Sequence, residues 1–187
     1  MLVQLFHSDS EHLELHSLTD YILSQNDIGS TIKVDGKESD PFAFMTAINL
    51  NKARENSSID KLANYFLDRS KASTCPQLHD TLSNLLNDSN NDTGLILGER
   101  LVNMPVVLIP HMLRFLLEEL KTASEHGKPF KFSHYLIVSR TYIDNDQDMD
   151  LDDEGGPSKK KKSDKNDSKL QSFHPEDEIT QDVSCQF

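Results

Sequence analysis

Two prolines inside one long apolar run constrain this chain more than any other feature. Residues 94–120 read GLILGERLVNMPVVLIPHMLRFLLEEL, an extended apolar segment, a bend and then a helical repeat. Proline fits the first turn of a helix but not its interior, where it removes a hydrogen bond and clashes with the preceding turn. Pro105 and Pro110 therefore place the helix start near Val107–Ile109. From there Met112, Leu113, Leu116, Leu117 and Leu120 recur at helical spacing and form the expected buried stripe, while Arg114, Glu118, Glu119 and Lys121 fall largely off it. A strand at Gly94–Leu101 that runs through a bend into a packed helix implies an α/β unit.

The rest of residues 1–143 extends that pattern. Leu13–Ser24 reads as a helix carrying Leu15, Leu18 and Ile22 on one face, with Ser8, Asp9 or Ser10 as its cap. Ile28–Val34 is β-branched and stops at Asp35-Gly36, a turn signal. Phe42–Leu50 is apolar on both faces, as expected of a central strand. Ser57 or Ser58 caps a helix bearing Ile59, Leu62, Ala63, Phe66 and Leu67, and Pro76 opens another bearing Leu78, Leu82, Leu85 and Leu86. Residues 87–93 are a polar loop. Phe130–Ile143 is aromatic and β-branched throughout and is expected to form one unbroken strand. The order α-β-β-α-α-β-α-β predicts an α/β or α+β layered sheet with helices rather than a bundle or a sandwich.

After Ile143 the character changes. Residues 144–187 hold few apolar groups and many charges, so the chain divides into a folded domain over 1–143 and a disordered charged tail over 144–187. Asp144, Asp146, Asp148, Asp150, Asp152, Asp153 and Glu154 form an acidic block; after Gly155-Gly156-Pro157, Lys159, Lys160, Lys161 and Lys162 form a basic one. Asp144, Asp146 and Asp148 match the first ligand positions of an EF-hand, but Met149 and Gly155 stand where the turn glycine and the bidentate glutamate belong, so calcium is not expected. The acidic block is expected to attract cationic proteins in a salt-sensitive way, and the lysines to engage an import receptor.

Charge and motif content exclude several functions. With 31 Asp and Glu against 19 Lys and Arg the net charge is −12, which disfavours direct nucleic-acid binding and favours basic partners. Cys75 and Cys185 make no disulfide framework, the N-terminus lacks a signal peptide, and Leu101–Leu113 is too short to span a bilayer, so an intracellular protein without membrane contact is expected. His7, His12 and His16 lack the reinforcement of a zinc site and read as surface histidines. There is no Gly-x-Ser-x-Gly, no Walker A and no G-x-G-x-x-G motif, and Glu99 and Arg100 at a strand end read as a structural ion pair or cap. No catalytic residue, metal or cofactor is expected.

Several longer motifs carry a resemblance. Gln25–Lys33 (QNDIGSTIK), residues 93–105 (TGLILGERLVNMP) and Tyr135–Tyr142 (YLIVSRTY) are followed by the Lys-rich stretch and by Phe173–Ile179, FHPEDEI. In this order they resemble the BCCIP family of eukaryotic nuclear proteins, from about Leu5 to Ile179. The resemblance implies a fold similar to the Gcn5-related acetyltransferases without a catalytic role. The Q/R-x-x-G-x-G/A turn that would hold a cofactor pyrophosphate is absent, since Gln25–Ser30 supplies one glycine. It further implies a chaperone or adaptor that accompanies a basic large-subunit ribosomal protein, supports nuclear export, and in animals contacts a recombination mediator and a cyclin-dependent-kinase inhibitor. Ribosome biogenesis, protein transport, cell-cycle control and DNA repair are the processes expected, in a nucleus-localised protein that shuttles with the cytoplasm. The alternatives are a cryptic acyl-CoA-dependent transferase and a truncated non-functional isoform. Against the family pattern the chain is expected to be truncated at both ends, with a first strand missing before Met1.

Overall fold

The computed structural model describes residues 1–88, 90–143 and 170–177. Short α1 (Leu2–Phe6) and a 3₁₀ turn (His7–His12) lead into α2 (Leu15–Ser24). Strands β1 (Ser30–Ile32) and β2 (Ala43–Asn49) precede α3 (Ser57–Ser70) and α4 (Pro76–Asn87). Strand β3 (Thr93–Arg100) passes through a 3₁₀ turn (Val106–Leu108) into α5 (Ile109–Glu125), followed by β4 (His134–Ile137) and β5 (Thr141–Ile143). β6 (Leu170–Ser172) and a 3₁₀ turn (Pro175–Asp177) complete the described chain.

One sheet has the order β1-β2-β3-β4, with β1-β2 and β2-β3 antiparallel and β3-β4 parallel. β2 is thus an interior strand, as its two-faced hydrophobicity requires. Side chains alternate across it: Ile48 joins Leu5, Phe6, Leu18, Ile59, Leu62, Phe66, Leu95 and Leu97 on the face covered by α1–α4. Ala47 joins Ile96, Leu116, Leu120 and Ala123 on the face covered by α5. The result is a three-layer mixed α/β arrangement. Gly94 is required by packing, because a Cβ there would lie 2.5 Å from the Phe132 ring.

Helix starts follow local chemistry. Pro110 sits in the first turn of α5 and Pro76 in that of α4. The cap of α3 is Asn56 rather than Ser57 or Ser58; its Oδ1 accepts the Ser58 N–H at 3.0 Å, since an Asn one residue earlier reaches that orphan donor directly.

Three further expectations are corrected. Phe130–Ile143 is not one strand but two, β4 and β5, in different sheets, because Arg140 in the break turns toward a buried carboxylate. The buried stripe of α5 is Met112, Leu116, Leu120 and Ala123, whereas Leu113 and Leu117 are 39% and 48% exposed at its margin. Residues 170–177, assigned above to a disordered tail, pack on the domain: β6 pairs antiparallel with β5, and His174 is buried.

Candidate functional site

The sheet opens where β3 and β4 part. Their pairing ends at Ile96–Ile137, while β3 continues to Arg100 beside β2 and the other chain turns away through Val138, Ser139 and Arg140. A cleft of about 100 Å³ lies between them, with Phe44, Met45, Ile96 and Ile109 on its apolar side. Glu99 and Arg100, the last residues of β3, are both buried there.

Two buried charges of opposite sign on neighbouring strand positions need separate partners, because their side chains leave opposite faces. The segment after β6 supplies them. His174 Nε2 donates to Glu99 Oε1 at 2.6 Å, and the Arg100 backbone N–H adds a 3.0 Å bond to the same oxygen. Arg140 Nη2 lies 2.9 Å from Glu99 Oε2, an ion pair by distance in which no N–H points squarely at the oxygen. On the other face, Arg100 grips Glu176 with both prongs, Nε to Oε1 at 2.6 Å and Nη2 to Oε2 at 2.9 Å, and its Nη1 donates to the carbonyls of Leu101 and Met104. Paired forks of this kind are strong because both bonds are charge-assisted and planar. The Arg140 guanidinium also stacks on Phe173, 3.8 Å from the ring centre, and the Phe173 N–H donates to the Arg140 carbonyl at 2.9 Å.

These contacts set the local titration. The Arg100 bond holds Glu176 below its ordinary value of 4.5, against the opposing push of burial. Burial drives Asp177 above its ordinary 3.8, with Glu176 and Glu99 reinforcing the rise and His174 and Arg100 opposing it. Arg100 is raised, first by its bond to Glu176. The cluster as built joins two distant chain segments and offers two guanidiniums as anion receptors. Glu99 and Arg100 thus do form structural ion pairs, but with Arg140 and Glu176, distant positions of the chain that no local pattern announces.

The other candidate residues stand elsewhere. Asp144, Asp146, Asp148, Asp150, Asp152, Asp153, Glu154 and Lys159, Lys160, Lys161 and Lys162 lie outside the described residues. Their flanks are brought together, since Ile143 is the register partner of Leu170. His7, His12 and His16 are all exposed, and His16 Nε2 lies 3.8 Å from Asp20 Oδ2. Among the described residues no group of three His, Cys, Asp or Glu is placed to hold a metal ion, and no helix is long and apolar enough to cross a membrane.

A second concavity, about 540 Å³, flanks α5 and is lined by Phe115, Glu118, Glu119 and Asp27. Two of its carboxylates hold structure: Glu119 accepts from the Gly29 N–H and the Ser30 hydroxyl, both at 2.8 Å, and Asp27 pairs with Lys128. That arrangement ties β1 to α5.

Known proteins share this architecture. The family model described as BCCIP matches residues 1–180. The chain is 47% identical over 180 residues to Protein bcp1 of Aspergillus fumigatus, covering 96% of this chain and 60% of that protein. It is 43% identical over 187 residues to Protein bcp1 of Schizosaccharomyces pombe, covering 98% of this chain and 65% of that protein. The crystal structure of BCP1 from Saccharomyces cerevisiae superposes with a TM-score of 0.58 at 29% identity, covering 78% of this chain and 58% of that one. The chain therefore spans about 60% of the length of relatives it matches.

Proposed function

This chain belongs to the BCCIP family, and from that premise we propose that it acts without catalysis as a nuclear chaperone or adaptor for basic clients such as a large-subunit ribosomal protein. The observation that carries this reading is the charge imbalance, 31 acidic against 19 basic residues, much of it concentrated at Asp144, Asp146, Asp148, Asp150, Asp152, Asp153 and Glu154. A polyanionic surface neutralises a cationic client and steers its association. Lys159–Lys162 serve import. Roles in ribosome biogenesis, nuclear export, cell-cycle control and DNA repair follow from the same family reading.

The likeness to the Gcn5-related acetyltransferase fold is part of the proposal, supported by a mixed sheet in which β3 passes through α5 to a parallel β4. Absence of transferase activity is supported by the missing Q/R-x-x-G-x-G/A turn, since Gln25–Ser30 supplies a single glycine where a cofactor pyrophosphate would need two.

The test measures affinity for a purified basic large-subunit ribosomal protein at low and physiological salt, with the acidic block intact and changed to Asn and Gln. The expected result is tight binding that falls with salt and with neutralisation. A folded chain that fails to bind at either salt would overturn the reading; tight binding by the neutralised chain would move the contact onto residues 1–143.

A further inference from the structure

Beyond the backbone pairing of β6 with β5, the segment that fills the gap between β3 and β4 is held by its side chains. Phe173 lies against the Arg140 guanidinium, His174 reaches Glu99, and Glu176 is gripped by Arg100; the turn is closed by the Asp177 N–H on the His174 carbonyl. Its covalent connection to β5 runs through residues 144–169, so seating it brings together positions far apart in the chain, at a cost in chain entropy. The fit is incomplete: about 100 Å³ of cleft remains, and Arg140 Nε and His174 Nδ1 are buried without a hydrogen-bond partner among the described residues. A half-satisfied polar contact of this kind lowers the net gain of seating the segment. The receptor side, by contrast, belongs to the domain: Arg100 is anchored to two carbonyls of its own turn.

We propose that this cleft is a peptide-binding site for acidic segments that enter a tight turn and carry an aromatic residue three positions before a carboxylate, and that Phe173–Glu176 is its occupant in cis. A partner's segment of that chemistry exchanges with it, placing its aromatic on Arg140 and its carboxylate on Arg100. Two guanidiniums and an apolar wall recognise that ligand; a basic client is the opposite in charge, so the inference stands apart from the client reading. A chain able to hold both kinds of partner is an adaptor in the literal sense.

The probe is a fluorescein-labelled peptide with this chain's own residues 170–177, LQSFHPED, followed by anisotropy on the full-length protein. Wild type is compared with Phe173→Ala and Glu176→Gln, both of which weaken the cis occupant and leave Arg100 and Arg140 in place. Each variant is expected to bind the peptide at least about ten-fold more tightly than wild type, and a peptide with Gln and Asn for its Glu and Asp is expected to bind none of them. Equal affinity for all three proteins, no saturable binding by any up to millimolar peptide, or equal binding of the neutral peptide overturns the proposal. Should Glu176→Gln not unfold cooperatively, Phe173→Ala decides alone, because Phe173 is 38% exposed and its removal strands no buried charge.

Discussion

His174 donates to the buried carboxylate of Glu99 across a 2.6 Å gap although 75 positions separate them in the chain. Their union, with Arg100–Glu176 and Arg140–Phe173 beside it, closes the folded unit.

Removing one side of the fork-to-fork pair leaves a buried guanidinium without its anion. Glu176→Gln is expected to destabilise the protein by roughly 2–5 kcal/mol, since the cost lies in the stranded charge more than in the lost bond. Arg100 is only 5% exposed, so water cannot replace the carboxylate. Thermal unfolding measures the change; a melting temperature equal to wild type would contradict the assigned pairing.

Asp177 and Glu176 impose opposite pH dependences. Glu176 titrates below its ordinary 4.5 in the folded state, so its contribution is present above that pH and is lost as pH falls through its lowered value. Asp177 is raised above 3.8, so the folded state binds its proton more tightly than the unfolded state, and ionisation penalises folding once pH rises through the raised value. Asp177→Asn is therefore expected to stabilise the protein at pH 7, and that advantage is expected to shrink as pH drops toward 3.8. Chemical denaturation across this range checks both the sign and the trend.

Two glycines of β3 divide by what faces them. A Cβ on Gly94 would meet the Phe132 ring at 2.5 Å, while one on Gly98 would meet the Phe44 carbonyl at an ordinary 3.5 Å. Gly94→Ala is expected to cost about 1–3 kcal/mol through forced displacement of a packed aromatic. Gly98→Ala should stay near wild type. Equal denaturation midpoints for the two variants would refute this packing.

Adjacent leucines of α5 are likewise unequal. Leu116 is 1% exposed at the centre of the sheet-facing stripe, and Leu117 is 48% exposed. Leu116→Ala should cost about 2–5 kcal/mol, against less than about 1 kcal/mol for Leu117→Ala. The denaturant midpoints of the two variants rank them directly.

Local chemistry made much of this architecture readable. Pro110 located the start of α5, Pro76 that of α4, and the two-faced apolarity of residues 42–50 marked the interior strand β2. Features governed by distant contacts escaped. Helical spacing alone cannot separate Leu113 and Leu117 from Leu116, because which arc is covered depends on where the sheet lies. The break between β4 and β5 follows from Arg140 turning toward Glu99, and β-propensity carries no record of that attraction. His174 and Glu176 sat in an acidic-aromatic motif whose receptor, Glu99 and Arg100, lay on another strand; the visible signals were two adjacent charges ending an apolar strand and an aromatic returning after a charged stretch. The candidate client and import residues lie outside the described chain, so composition remains their only basis.

The pairing of β5 with β6 means that both flanks of residues 144–169 are fastened to one body. A protease cut anywhere in that interval would yield two fragments on a denaturing gel, yet they would co-migrate on a native column as one complemented particle. Cohesion of the nicked protein would then rest on non-covalent contacts alone, and it would survive dilution only as long as the β5–β6 pairing, the grip of Arg100 on Glu176 and that of Glu99 on His174 outlast it.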